Sequence, residues 1–249
     1  MTSLSRGDLA RAALRTNLIQ ATWNYERQQG IGWAWSIEPL LDRIYPDPAT
    51  RRERLAEHTA YFNTQPTLAS VALGAIAGLE ERRASGEGPD AEGIARVKAV
   101  LGSSLAALGD RLFWFTLRPF AACLGVVLAI AGSTHGALAL WACYNTIHLS
   151  TRMLGVGWGY RHGPAVLSEF LRRRLERLTR MLILAGCALI GVTVAVLLVS
   201  SALPREPRFQ TLFGLGLLGG YVAAQRSRPS PTSWGLMLAA ACLVGVWLR

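Results

Sequence analysis

The sequence predicts an all-α, polytopic integral membrane protein, with N-terminal amphipathic helices, broken or re-entrant helical hairpins and C-terminal transmembrane helices. Three observations predict it. Of 249 residues, 51% are hydrophobic and only 17% charged, whereas soluble domains carry about 25% charged residues. No Asp, Glu, Lys or Arg occurs from Pro119 to Thr151, nor from Met181 to Pro204. The net charge of +10 is carried almost wholly by arginine, with Lys98 the single lysine, and much of it flanks apolar segments. Arginines placed there orient helices and meet anionic headgroups, so the charge argues for membrane lipids as partners and against nucleic acid.

The elements follow in order. Residues 1 to 29 hold no spanning segment, and no apolar stretch follows Arg6, Arg11 and Arg15 as a signal peptide requires, so the N-terminus is expected in the cytoplasm. Leu9, Ala12, Leu14, Leu18, Ile19 and Trp23 are spaced as on an amphipathic helix, suited to an interface or a packing partner. Asp47-Pro48 reads as an N-cap with proline in the first turn, opening a charged helix through Arg54. Asn63 to Leu79 is a short apolar run holding Pro66, Gly74 and Gly78, and it ends on Glu80, Glu81, Arg82 and Arg83. After a Gly/Pro/Ser turn, a helix is expected from Asp90 through Lys98 towards Gly109.

The uncharged run from Pro119 to Thr151 is too long for one span of about 20 residues and too short for two. With Gly125, Gly132 and Gly136 inside it, it reads as a broken helix or re-entrant hairpin. Phe62 to Ala69 and Phe115 to Ala122 share Phe, Pro and Ala at matching places, an arrangement that would suit paired discontinuous helices. Residues 1–163 thus form a motif-bearing region. Residues 164–249 form a basic helix with Arg172, Arg173, Arg174, Arg177 and Arg180, then spans over 181–204, 209–225 and 229–248. Cys123, Cys143, Cys187 and Cys242 all lie in apolar runs without metal or redox spacing and read as small hydrophobes. No nucleophile–base pair, metal-ligand spacing or phosphate loop is visible, and neither metal nor cofactor is expected.

Chemistry is concentrated at two places. Gly109 to Pro119 (GDRLFWFTLRP) sets Asp110, Arg111 and Arg118 at the mouth of the apolar run, where charge is costly unless paired or facing water. Asp110 would either accept hydrogen bonds from a ligand or pair with Arg118. Phe113 and Trp114 read as packing or interfacial residues. Asn63, Thr64 and Gln65 both donate and accept hydrogen bonds beside another apolar run, which suits a polar ligand and equally suits capping a helix before Pro66. In WNYER, Trp23, Asn24, Glu26 and Arg27 are contiguous, and on a helix Trp23, Glu26 and Arg27 would share a face.

Four segments together resemble the IID component of the mannose/fructose/sorbose-type sugar phosphotransferase system (PTS). They are Asn17–Gly32 (NLIQATWNYERQQGIG), Tyr61–Pro66 (YFNTQP), Gly109–Pro119 and Asn145–Tyr160 (NTIHLSTRMLGVGWGY), with the Glu80-Glu81 pair between them. The resemblance covers residues 10 to 163 and continues beyond only in hydropathy. It implies a multi-pass subunit of the bacterial cytoplasmic membrane, assembled with a IIC subunit and carrying a hexose inward. Cytoplasmic IIB, charged by IIA, would phosphorylate the sugar. Substrate contacts are then expected at Asn63, Thr64, Gln65, Trp23, Asn24, Glu26 and Asp110, with Asp110 and Arg118 as an ion pair or phosphoryl contact. The phosphohistidines belong to IIA and IIB, in keeping with His58, His135, His148 and His162, which form no recognisable cluster. Departures include Gly102-Ser103-Ser104 in place of a Met-Gly-Pro element, Arg111 after the Asp, His148 where arginine is usual, and a short tail. They motivate a second reading, a scaffold or regulatory receptor that keeps the fold and docks PTS partners without transporting.

Overall fold

The computed structural model describes residues 4–199 together with 211 and 215, and among these residues it is all-helical. Its first compact unit is Met1–Thr193. The expected span at 229–248 lies outside the described residues, and of that at 209–225 only 211 and 215 are described.

Helix α1 (Arg6–Arg15) opens on a reciprocal cap, in which the Asp8 N–H donates to Ser5 Oγ at 3.2 Å and the Ser5 N–H to Asp8 Oδ2 at 3.0 Å. A 3₁₀ turn over Thr16–Leu18 follows, and then irregular chain to α2 (Gly30–Ile44). The amphipathic pattern read through Trp23 therefore stops early. Ala12, Ala13 and Ile19 are buried, while Leu14, Leu18 and Trp23 are exposed. Helix α3 (Pro48–His58) starts as expected, with the Thr50 N–H donating to Asp47 Oδ2 at 2.8 Å. Helix α5 (Ala91–Gly109) starts the same way, with Gly93 N–H on Asp90 Oδ1 at 2.8 Å.

Between them, α4 (Ala69–Ala84) is buried on nearly every side from Ala69 to Glu80. It has neighbours in α2, α5 and α7 (Gly136–His162). Its crossing with α7 is a backbone contact. A Cβ built on Gly74 would overlap the Val156 carbonyl oxygen, one on Gly159 would overlap that of Val71, and one on Gly155 would overlap the Ser70 hydroxyl. Ser70 and Gly74 on α4, and Gly155 and Gly159 on α7, are each four apart, the small-residue spacing that lets two helices touch along one face.

The sequence reading expected interruptions at Pro119 and among Gly125, Gly132 and Gly136; the structure breaks the run at Gly132 and keeps it helical at the other three. Helix α5 continues through an eight-residue π-helix (Asp110–Leu117) into α6 (Arg118–Ile130), giving uninterrupted helix over Ala91–Ile130, long and apolar enough to cross a membrane. The irregularity at Pro119 takes the form of a widened turn, in which Thr116 Oγ1 donates to the Arg111 carbonyl at 2.7 Å. Such a bulge accommodates a residue that cannot donate from its backbone nitrogen. Phe62–Pro66 is non-helical while Phe115–Pro119 lies in helix, so the apparent repeat has no structural counterpart. Within the 119–151 run, a turn at Gly132, φ +84°, reverses the chain, and α6 and α7 form a hairpin crossing at Gly125 and Gly136. Beyond a 3₁₀ turn (Gly163–Leu167), α8 (Glu169–Val199) carries the basic stretch directly into the apolar one.

The outer faces of α6, α7 and α8 are apolar and exposed, with Val126, Leu138, Trp141, Leu154 and Leu184 among them. Replacing Gly159 by Ala forces α4 and α7 apart and is expected to cost about 1–3 kcal/mol or more. Gly157→Ala meets nothing within 4 Å and is expected to be neutral or stabilising by up to about 1 kcal/mol through helix propensity. Thermal melting of the two variants in the same detergent checks the contrast.

Candidate functional site

The YFNTQP segment is held by residues just ahead of α2. Gln29 is buried, and its amide brackets Thr64, Nε2 donating to the Thr64 carbonyl at 2.7 Å and Oε1 accepting the Thr64 N–H at 3.1 Å. The Gln29 N–H donates to the Phe62 carbonyl at 2.8 Å. The two segments thereby pair like a fragment of sheet. Gln65 turns its side chain forward, and Oε1 accepts from the Thr67 and Leu68 N–H groups at 2.7 and 3.1 Å, capping the entry to α4. Of the three residues expected to touch a polyol, Gln65 thus has the capping role. Thr64 is 4% exposed and its hydroxyl has no hydrogen-bond partner, while Asn63 is exposed.

This segment sits directly on the GD motif. A Cβ on Gly109 would lie 2.5 Å from Gln65 Cβ, and one on Gly102 3.2 Å from the Asn63 carbonyl oxygen. Glycine at both places lets the YFNTQP segment rest on the helix, one residue ahead of Asp110. Thr67, fully buried, places Oγ1 2.8 Å from His148 Nδ1. The His148 ring stacks on Tyr144 with centroids 5.5 Å apart and stands edge-on to Phe113 at 6.3 Å. His148, which the sequence marked only as a departure from the family pattern, is therefore a bridge between α7 and the start of α4.

Two sequence expectations are corrected. Asp110 and Arg118 do not pair, and among the described residues Asp110 takes part in no ion pair. Because the helix continues through Pro119, the two lie about two turns apart along it. Arg118 lies instead over the Trp114 ring, 5.3 Å from its centroid. Residues 20–29 are also turns and bridges, so Trp23, Glu26 and Arg27 share no helical face. Asn24 shapes this loop, its Oδ1 accepting the Arg27 N–H at 2.8 Å, and Gln28 adopts φ 52°. Trp23 packs edge-on to Tyr25, and Glu26, 82% exposed, lies 3.6 Å from Arg27. The chain turns here because the close approach of Gly30 to the Ala60 carbonyl fixes the start of α2.

A second polar cluster lies inside the helix bundle. Glu80 is fully buried near the end of α4. Its Oε2 accepts the Tyr45 hydroxyl at 2.7 Å, and Oε1 stands 3.2 Å from His58 Nε2. Trp33 Nε1–H donates to His58 Nδ1 at 3.3 Å, which leaves the imidazole proton on Nε2, facing the carboxylate. The Lys98 ammonium donates to the His58 carbonyl at 3.0 Å and lies over the Trp33 and Phe62 rings. Lys98 thus joins this cluster to the YFNTQP segment through Phe62. The sequence signals were present, a glutamate beside an apolar run and one lysine in the chain, but nothing in their spacing joins residues 33, 45, 58, 80 and 98. Among the described residues, no group of three His, Cys, Asp or Glu side chains could hold a metal ion.

Burial pushes the His58 pKa below its ordinary 6.5, with the Lys98 charge adding and the Glu80 carboxylate opposing. The unfolded chain then binds the proton more readily. His58 stabilises the fold above pH 6.5, and that contribution is lost as pH falls below it. The expected result is a melting temperature that drops between about pH 7 and pH 5, flattened in His58→Gln, followed by tryptophan fluorescence. Glu80→Ala strands the cationic and donor groups around it and is expected to cost about 3–5 kcal/mol. Tyr45→Phe, which removes one donor, is expected to cost about 1–3 kcal/mol.

Comparison with known proteins places this geometry. Three curated relatives are similar over most of the chain. The mannose-specific EIID component of Escherichia coli K12 is 36% identical over 192 residues, 77% of this chain and 68% of its own length. The sorbose-specific EIID component of Klebsiella pneumoniae is 35% identical, covering 77% of this chain and 70% of its own. The fructose permease IID component of Bacillus subtilis is 33% identical, covering 79% and 70%. A solved membrane-protein structure superposes with a TM-score of 0.78 at 29% identity, covering 99% of this chain and 98% of the other. A chain of the mannose transporter ManYZ in complex with microcin E492, determined by cryo-electron microscopy, gives 0.63 at 29%, covering 100% and 98%. The family model described as the PTS system mannose/fructose/sorbose family IID component matches residues 3–210, and the chain belongs to that family.

Proposed function

We propose that this chain is the IID subunit of a membrane-embedded sugar permease that works with a IIC subunit to carry a hexose inward while IIB phosphorylates it. The observation that carries this reading is the junction of the YFNTQP segment with the GD motif. Three polar groups there have unused hydrogen-bonding capacity: the exposed Asn63 side chain, the buried Thr64 hydroxyl and the Asp110 carboxylate, which forms no ion pair among the described residues. A buried hydroxyl without a partner is costly, and a sugar hydroxyl would relieve it. Family membership and the apolar outer faces of α6 to α8 support the membrane setting, with α5 and α6 crossing the bilayer as one π-bulged helix and the N-terminus cytoplasmic. Gln65 serves the site by fixing the start of α4, and Trp23, Asn24 and Glu26, on an exposed loop, suit a partner contact better than a sugar contact. The subunit's part in phosphorylation is positioning the sugar for IIB, the partner that carries the phosphoryl group.

The test is phosphoenolpyruvate-dependent uptake of labelled mannose, fructose, glucosamine and sorbose in cells supplying cognate IIA, IIB and IIC. Asn63→Ala and Asp110→Asn are each expected to raise the uptake KM about tenfold, the loss of one good hydrogen bond, with the IIC complex still assembled. Unchanged uptake in both variants would overturn the placement of the sugar path. Assembly without uptake of any sugar would favour the scaffold reading.

A further inference from the structure

Two cavities on one side of α7 share the walls Leu154 and Trp158 and differ in character. The first, of about 300 Å³, is an apolar groove between α4, α5, α7 and α8, with Leu68, Val71, Leu105 and Leu175 along it. The second, of about 620 Å³, lies between α1 and the end of α7 and is lined by Arg6 and Arg161 together with Tyr160. Neither guanidinium has a carboxylate partner among the described residues. Arg161 reaches only the Gly157 carbonyl, through Nε at 3.2 Å. Glu81 is the nearby acid, and it is engaged by the Leu4 N–H at 3.2 Å and by the Tyr160 hydroxyl. The level is that of an interface: Trp158, Tyr160 and Arg161 end α7 where the basic start of α8 begins, while α7 towards Trp141 and α8 beyond Met181 are apolar.

We infer that this composite groove holds an anionic phospholipid, with its phosphate on Arg6 and Arg161 and an acyl chain along Leu68, Val71, Leu105 and Leu154. Charge complementarity selects the headgroup, because two unpaired guanidiniums would leave a zwitterionic lipid with its cation facing like charge. The apolar lining selects a chain rather than a free anion, which would leave the first cavity unfilled. A lipid seated there fastens α1 to the α4–α7 pair. The inference rests on the membrane setting proposed above and not on sugar transport.

Native mass spectrometry of the full chain purified with its IIC subunit tests it, with dioleoyl phosphatidylglycerol, dioleoyl phosphatidylcholine and inorganic phosphate as probes. The complex is expected to retain phosphatidylglycerol in preference to phosphatidylcholine and to retain no phosphate. Arg6→Gln with Arg161→Gln should weaken phosphatidylglycerol retention about thirtyfold without changing that of phosphatidylcholine. Arg6→Lys with Arg161→Lys should keep the preference, and Leu154→Trp, which fills the shared wall, should reduce retention of both lipids. Equal retention of the two lipids, persistence of the preference in the glutamine double variant, or displacement of the lipid by phosphate alone would overturn the proposal. Lipid retention is read without sugar uptake, so a failed transport assay leaves this result standing.

Discussion

The crossing of α4 with α7 is the constraint on which the remaining structure depends. Helix backbones that touch cannot slide, because each glycine is fitted to one carbonyl on the other helix, Gly74 to Val156 and Gly159 to Val71. That fixes α4 in rotation as well as position. Its N-terminus then meets the GD motif through Gln65 and Gly109, and the other end delivers Glu80 into the bundle against Tyr45 and His58. Helix α7, held by the same contact, brings His148 to Thr67 and Arg152 to the Thr16 carbonyl, where its Nη1 donates at 2.8 Å. A contact made of small residues therefore places both polar clusters. In a bilayer this matters more than the apolar area that α4 buries, because lipid tails solvate leucine as well as a protein core does.

The buried polar groups divide by how completely they are satisfied. Gln29, Gln65 and Tyr45 use their side chains on backbone or carboxylate partners, and they rigidify the places where chain segments meet. The Glu80 cluster carries charge and offsets the desolvation of its carboxylate with a hydroxyl and an imidazole N–H. Around the YFNTQP–GD junction the pattern is the reverse, with Thr64, Asn63 and Asp110 holding spare capacity. Buried groups without a hydrogen-bond partner also occur away from this junction, at Arg54 Nε and Arg152 Nε, but Thr64 is the one whose hydroxyl lies beside the GD motif.

Much of this was legible in the sequence. The helical class, the caps at Asp47 and Asp90, the continuous α8 and the family all follow from local pattern, since each depends on residues within a few turns of one another. What misled was the glycine count. A glycine in an apolar run signals a break or a close crossing with equal force, and only the partner helix decides which. Asp110 and Arg118 failed as a pair for a related reason: pairing across eight residues assumed a break at Pro119, and the π-helix removed the break. The WNYER loop failed because a helical face was projected onto residues whose course is set by Gly30 meeting Ala60. The His58–Glu80 cluster was missed because its five residues come from four helices, and contacts of that span leave no periodic trace.

Hydropathy also could not separate α4 from α6. Both read as apolar runs interrupted by glycine, yet α4 is enclosed by protein while α6 and its hairpin partner α7 expose Val126, Leu138 and Trp141. The difference lies in the distribution of small residues. Around α4, on Ser70, Gly74 and Gly78, they recur every fourth position, the spacing of a helix meant to be touched by another helix. In α6, Gly125 stands alone between larger side chains, at the single point where it meets Gly136. A helix with one narrow crossing and bulky apolar residues elsewhere has most of its surface left for hydrocarbon or for a second apolar subunit.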